Sequence, residues 1–275
     1  MSLTKHLRFQ FYNLFDLVLL ENKALSRQTH YSELAIVSLT TVPKRIQYLK
    51  PTLVSLLKQA VPPKEIHINL GEDFFAGTEI PKFLQNLKII KIKWIKKDLG
   101  PATKYIPTLD RLKGQNQLIV IVDDDMYYSD QLIKDLMMAD QKSNGKKSYC
   151  VNGFNVPSDF QSASRPSDKA IKSGQKKVAV IEGCGGYTLR PGFVPVDNLI
   201  DLSLAPVRSH YDDDIWLSGH LSRAKIEKIQ IPTGKRKSLV NTIESAISGD
   251  RAQLQTDLME HFKSDWNSEE IQQLK

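Results

Sequence analysis

Three aspartates in a row, Asp123, Asp124 and Asp125, end the run IVIVDDDMYY. Burying several unpaired carboxylates is too costly, so a triplet at the end of an apolar segment needs a cation or access to water. Asp123 and Asp125 lie two apart, so in extended chain their side chains point to the same side. Magnesium and manganese prefer such oxygen ligands and also bridge to phosphate oxygens. A metal held there could clamp a diphosphate and stabilise charge on it as a leaving group. The simpler alternative is a solvated acidic turn, because Asp is common in turns. A second acidic run, Asp212 to Asp214, opens a helical pattern. Capping accounts for one Asp at a helix start, but less readily for three.

These residues need elements to position them. LAIVSL, Leu34 to Leu39, reads as a strand buried on both faces. A helix is expected over Pro51 to Gln59, with Pro51 in its first turn, and a second strand over Glu65 to Leu70 after Pro62 and Pro63. Further strands are expected over Ile89 to Ile95, Gln117 to Val122, Val178 to Ile181 and Lys225 to Ile231, with helices from Asp130 to Asp140 and from near Asp212. Pro157 to Lys177 is a long polar loop, and long loops often bind or cover ligands. Leu254, Leu258 and Phe262 recur every fourth residue, so the C-terminal segment from Asn241 reads as helical. Alternating strands and helices define an α/β fold with a mostly parallel sheet. Such sheets bind ligands at the carboxyl ends of their strands.

Composition narrows the partners. The chain of 275 residues carries a net charge of +7, which favours anionic partners such as nucleotide-sugars, nucleic acid or anionic lipid. No module of stacked aromatic and basic residues supports nucleic acid. Cys150 and Cys184 form no CxxC unit, so a reducing compartment is expected, without disulfide scaffold or zinc knuckle. FQFYNLFDLVLL, Phe9 to Leu20, is too short and too polar to span a bilayer. It could lie flat on a membrane as an amphipathic helix or dock on the protein's own core.

Four ordered motifs over Leu34 to Gln230 resemble the glycosyltransferases of the GT-A fold, in particular family-two-like, DxD-containing members of bacterial type. They are SLTTVPKRIQYLKPTLVSLLKQ, the triplet Asp123 to Asp125, the glycine loop GCGGYTLR (Gly183 to Arg190) and YDDDIWLSG (Tyr211 to Gly219). The resemblance implies a Rossmann-like, mixed and mostly parallel sheet flanked by helices. It implies transfer of a sugar from a nucleotide-sugar, with a UDP-sugar favoured, to an acceptor hydroxyl on a glycan, a lipid-linked molecule or a protein. Thr40, Thr41, Pro43 and Arg45 would sit beside the nucleotide, and Asp123 and Asp124 beside ribose or sugar. Asp125, with Asp123, would ligate Mn2+ or Mg2+. Gly185, Gly186 and Tyr187 would shape the acceptor pocket, with Trp216 beside them. Asp213 and Asp214 match the acidic pair, Asp214 as the general base of an inverting reaction. Lys104, in DLGPATKYIP, would contact the donor phosphate. The basic loop Lys235, Arg236 and Lys237 would close over the diphosphate.

The resemblance departs in one place: a downstream histidine ligand is expected, and neither His220 nor His261 matches it well. The expected layout is an N-terminal helical segment (1–30), a GT-A domain (31–240) and a C-terminal helical extension (241–275). The protein is expected to be cytoplasmic, either free or, where the N-terminal segment lies on a membrane, peripheral on its inner face. Two alternatives stay open. One is a phosphatase or nucleotidyltransferase using the paired aspartates, although a phosphatase DxD of that kind opens its domain, and here a complete βαβ unit precedes it. The other is a degenerate transferase that binds carbohydrate or a partner.

Overall fold

The computed structural model describes residues 10–166, 171–234, 237–238 and 251–273. Its centre is an eight-stranded sheet. The strands are β1 (Ile36–Thr40), β2 (Glu65–Gly71), β3 (Ile90–Ile95), β4 (Ile119–Ile121), β5 (Ser148–Cys150), β6 (Lys176–Lys177), β7 (Tyr187–Leu189) and β8 (Lys228–Gln230). Their order across the sheet is β3-β2-β1-β4-β7-β5-β8-β6. β1, β2, β3 and β4 run parallel, with Ile36 in register with Glu65 and Ile119. β7 is antiparallel to β4 and to β5, β8 is parallel to β5, and β6 is antiparallel to β8. The expected mixed α/β class, mostly parallel and flanked by helices, is the architecture the chain adopts.

Helices cover both faces, which is why the central strands read as continuous apolar runs. Val120 of β4 and Val122 just after it enter one core with α2 (Lys50–Leu57) and α4 (Leu132–Lys142). Ile119 and Ile121 enter the other, with α3 (Ile106–Arg111) and α5 (Val196–Ile200). A third cluster joins α6 (Asp213–Arg223) to α7 (Arg251–His261) through Trp216, Leu258 and Phe262. Residues 251–273 are thus packed on the sheet domain, while the expected boundary near 240 lies outside the described residues. Lys228 and Glu270 reinforce that packing as a buried ion pair at 2.6 Å.

The N-terminal helix α1 (Leu17–Gln28) is capped by Asp16, which accepts from Val18 N at 2.8 Å. It docks through Leu17, Glu21 and Ala24, and the Glu21 carboxylate accepts Ile89 N at 2.6 Å. Arg27 donates to the carbonyl of Gln59 at 2.8 Å. The buried face of the segment therefore serves the protein's own core, while Phe11, Leu14, Val18 and Leu19 face outward. Lys5 and Arg8 lie outside the described residues. Among the described residues, no helix is long and apolar enough to cross a membrane.

Candidate active site

The triplet follows β4 directly, at the carboxyl end of the parallel strands. Its three carboxylates have different surroundings. Asp124 is buried, accepts from Thr41 Oγ1 and pairs with Arg45 Nη2 at 2.9 Å. Its backbone carbonyl accepts from Thr52 Oγ1 at 2.8 Å. Burial raises its pKa, with Arg45 and Thr41 opposing. Asp124, expected to reach the sugar or ribose, is thus occupied in fastening the β1 loop and α2 to β4. Thr41 and Arg45, expected beside the nucleotide, share in that fastening. Thr40 instead donates to Asn69 O at 2.8 Å, and Pro43 is half-buried in the same loop.

Asp123 Oδ1 lies 2.9 Å from Lys104 Nζ. The same ammonium lies 2.9 Å from Asp213 Oδ2 and 3.7 Å from Asp214 Oδ1. The two acidic motifs therefore meet around one buried lysine. Lys104 ends the 3₁₀ turn Gly100–Lys104, and its carbonyl accepts from Ser38 Oγ of β1 at 2.6 Å. Burial opposes its charge, but the three aspartates outweigh it and hold the ammonium well above the ordinary lysine range. Asp213 and Asp214 are raised by burial, with Lys104 opposing in each; for Asp214 the rise is large. Asp214 is the more exposed of the pair, at 19% of its side chain against 8%. Its Oδ1 accepts from Gly183 N at 3.1 Å. Asp212 caps α6, accepting from Ile215 N at 3.4 Å, and is held by Arg251 and Gln255 of α7.

Asp125 is half-buried and, among the described residues, has no ion-pair partner. Burial, then repulsion from Asp123 and Asp124, pushes its carboxyl up to about 7. Such a group gains from a nearby cation. Among the described residues, no three His, Cys, Asp or Glu side chains are arranged to hold a metal by themselves. The donor set fits a divalent ion that takes one or two carboxylates from the protein and the rest of its oxygens from substrate phosphate. The short strand Lys237–Ser238 pairs with Met126–Tyr127, immediately after the triplet, with Lys237 in register with Tyr127. Lys235 and Arg236 lie outside the described residues.

The glycine segment forms a turn under the cluster, with Gly185 N donating to Glu182 O and Gly186 N to Gly183 O. Gly186 has φ +84, a conformation that favours glycine. A Cβ on Gly185 would lie 2.8 Å from Asn152 N. Tyr187 is fully buried, and its hydroxyl has no hydrogen-bond partner among the described residues. Trp216, expected at the acceptor pocket, packs behind the site instead. Its indole donates to Leu199 O at 3.0 Å and its ring stacks edge-on to His220 at 4.4 Å.

Three participants escape a sequence reading. Tyr128 Oη accepts from Asp123 N at 2.8 Å and donates to the Gly183 carbonyl at 3.4 Å, which ties the triplet to the glycine turn. Its signal was only its place after the triplet. Glu182, on that turn, pairs with Arg165 of the long loop at 2.5 Å. The Arg165 guanidinium also lies 3.9 Å over the Phe154 ring. No local pattern announces either contact.

No protein-family model and no curated protein matches the chain. Among solved structures, Staphylococcus aureus TarS (residues 1–349, in complex with UDP-GlcNAc) aligns with a TM-score of 0.49 and 13% identity, over 85% of this chain and 66% of that one. The mannosyltransferase PcManGT from Pyrobaculum calidifontis, in complex with GDP-Man and Mn2+, gives 0.47 and 10%, over 95% and 80%. An apo UDP-glucose pyrophosphorylase gives 0.44 and 12%, over 84% and 99%. The chain thus spans just under two thirds of the TarS fragment. These neighbours comprise glycosyltransferases and nucleotidyltransferases.

Proposed function

We propose that the chain is a glycosyltransferase that moves a sugar from a nucleotide-sugar, a UDP-sugar by preference, to an acceptor hydroxyl with inversion. One observation carries this reading: Lys104 gathers Asp123 of the strand-end triplet and Asp213 and Asp214 of the helix start into one cluster. A phosphate-side acidic group and a separate acidic pair at one site suit displacement at a carbon between them.

In this reading the donor diphosphate lies on the Asp123–Asp125 side. Asp125, with Asp123 beside it, would hold Mn2+ or Mg2+, which when bound supplies positive charge to the departing diphosphate. Asp214 takes the proton of the acceptor hydroxyl as that oxygen bonds to the anomeric carbon. The bond from that carbon to the diphosphate oxygen breaks, and its electron pair leaves with the nucleoside diphosphate. Burial raises Asp214's basicity and Lys104 limits the rise, which suits a base that must be ionised yet take a proton. Gly185, Gly186 and Tyr187 form the floor on the acceptor side. The single sheet domain, with its N-terminal helix and packed C-terminal helix, carries the whole site.

A thermal-shift screen of UDP-, GDP-, CMP- and dTDP-sugars with and without Mn2+ tests the donor half. A native donor should raise the melting temperature in a metal-dependent way. No shift with any nucleotide-sugar would remove the reading.

A further inference from the structure

The N-terminal segment presents apolar side chains on two sides. On one side Tyr12, Leu17 and Ala24 are buried, and Tyr12 stacks on Tyr127 at 4.1 Å. On the other, Phe11 is 57% exposed, Leu14 82%, Val18 53% and Leu19 54%. Leu14, the most exposed of the four, stands on the turn that precedes α1. Single exposed apolar residues are ordinary on a protein surface, but four large ones over residues 11–19 mark a binding surface. The charge around them has one sign. Lys23 is exposed four residues beyond Leu19, on the same side of α1. Lys58 is exposed, with its ammonium 4.6 Å from the Phe15 ring. Lys50 braces the segment by donating to Asn13 O at 2.6 Å. The carboxylates of residues 10–28 are Asp16, which caps α1, and Glu21, which is buried on Ile89 N.

We propose that this face docks on an anionic lipid bilayer. Phe11, Leu14, Val18 and Leu19 enter the boundary between headgroups and acyl chains, and Lys23 and Lys58 meet the anionic headgroups. An apolar strip edged by lysines is the pattern that binds such a surface in its plane. The lysines argue against a second copy of the chain as the occupant, because a self-contact would bring like charges together. Core docking and lipid contact use different sides of the segment, so they do not compete. The stacking of Tyr12 on Tyr127, two residues beyond Asp125, ties the lipid-facing segment to the strand end that carries the triplet. The inference goes beyond the transferase reading and does not rest on it.

The test is flotation of the full chain with vesicles of phosphatidylcholine alone or of phosphatidylcholine with 30% phosphatidylglycerol, without nucleotide. Four proteins are compared: wild type, Leu14→Ser/Val18→Ser, Lys23→Gln, and the control Leu204→Ser/Val207→Ser. The control removes another exposed apolar pair, 89% and 86% exposed, far along the chain. Circular dichroism follows folding and light scattering the oligomeric state. Wild type should bind the anionic vesicles at least about 10-fold more tightly than the neutral ones. Leu14→Ser/Val18→Ser should weaken that binding by about 10-fold or more at an unchanged melting temperature. Lys23→Gln should weaken it by about 5-fold, and should do so even if the double variant folds poorly. The control should bind as wild type does. Absence of binding to anionic vesicles, or equal loss in the control, overturns the proposal. A wild-type dimer that Leu14→Ser/Val18→Ser dissolves, with no vesicle binding, overturns it in favour of a second copy. None of these results bears on donor-induced thermal shifts, so the transferase reading stands or falls separately.

Discussion

Lys104 Nζ and Asp213 Oδ2 face each other at 2.9 Å, each almost fully buried. One lies in the loop after β3 and the other at the first turn of α6, so their contact joins two motifs that the chain keeps far apart. Removing one partner of such a pair leaves an uncompensated buried charge. The geometry of the site is therefore tied to the stability of the fold around it, and three expectations follow from neighbouring residues.

Gly183→Ala should destabilise the protein by about 1–3 kcal/mol, because the new methyl would press on Asp123 and Lys104 at 2.5 Å. Gly192→Ala, with nothing within 4 Å of its Cβ, serves as the control and should be neutral or slightly stabilising. Denaturant midpoints of the two variants check this. Equal midpoints would show that the glycine turn has slack.

Asp125 makes stability depend on pH in a defined direction. Its carboxyl is raised to about 7 in the folded state, above the unfolded value of about 3.9. A raised carboxyl contributes stability that is fully present below the unfolded value and is lost as pH rises through about 7. Asp125→Asn should therefore be more stable than wild type at pH 8, by a margin that shrinks toward pH 4. Urea midpoints across that range are the measurement. A margin that does not change with pH would remove Asp125 as the strained group.

His220 acts in the opposite sense. Both its ring nitrogens are buried without a hydrogen-bond partner among the described residues, between Trp216 at 4.4 Å and Phe262 at 5.1 Å. Burial, then the charge of Arg223, lowers its pKa to about 4. The unfolded value is about 6.5, so the stability it contributes is complete above that value and is lost as pH falls toward about 4. The difference is on the order of 3 kcal/mol. His220→Leu should flatten that acid limb of the stability profile, and an unchanged limb would assign it to another group.

Much of the architecture could be read from periodicity, and the reasons for the rest are physical. β4 was plain because Ile119 to Val122 are apolar and the next residue is Asp123. β1, β2 and β3, with α2 between the first two, carry equally local patterns. β7 was read as part of a glycine loop, yet Tyr187 to Leu189 form a buried strand whose partners, β4 and β5, are distant in the chain. β5 has three residues and follows a polar turn, too short for alternation to show. α3 was not among the expected helices: it has only six residues, too few for a periodic pattern, and Pro107 occupies its first turn, where proline is tolerated. In the site, both acidic runs were visible as composition. What they touch was not. Lys104 was expected to reach toward phosphate and is surrounded by carboxylates. Trp216 was expected at the acceptor and is in the core, because α6 is buried on nearly every side.

The transferase account is tested most directly by phosphorus NMR of the reaction products. The donor that gives the largest thermal shift is incubated with Mn2+, a panel of glycan and alcohol acceptors, and either wild type or Asp214→Asn. The account predicts that wild type releases nucleoside diphosphate, and that Asp214→Asn releases it roughly 10²–10⁴-fold more slowly while keeping the donor-induced shift. Equal release by Asp214→Asn, or pyrophosphate formed from a nucleoside triphosphate and a sugar phosphate with no diphosphate released from any nucleotide-sugar, would contradict it.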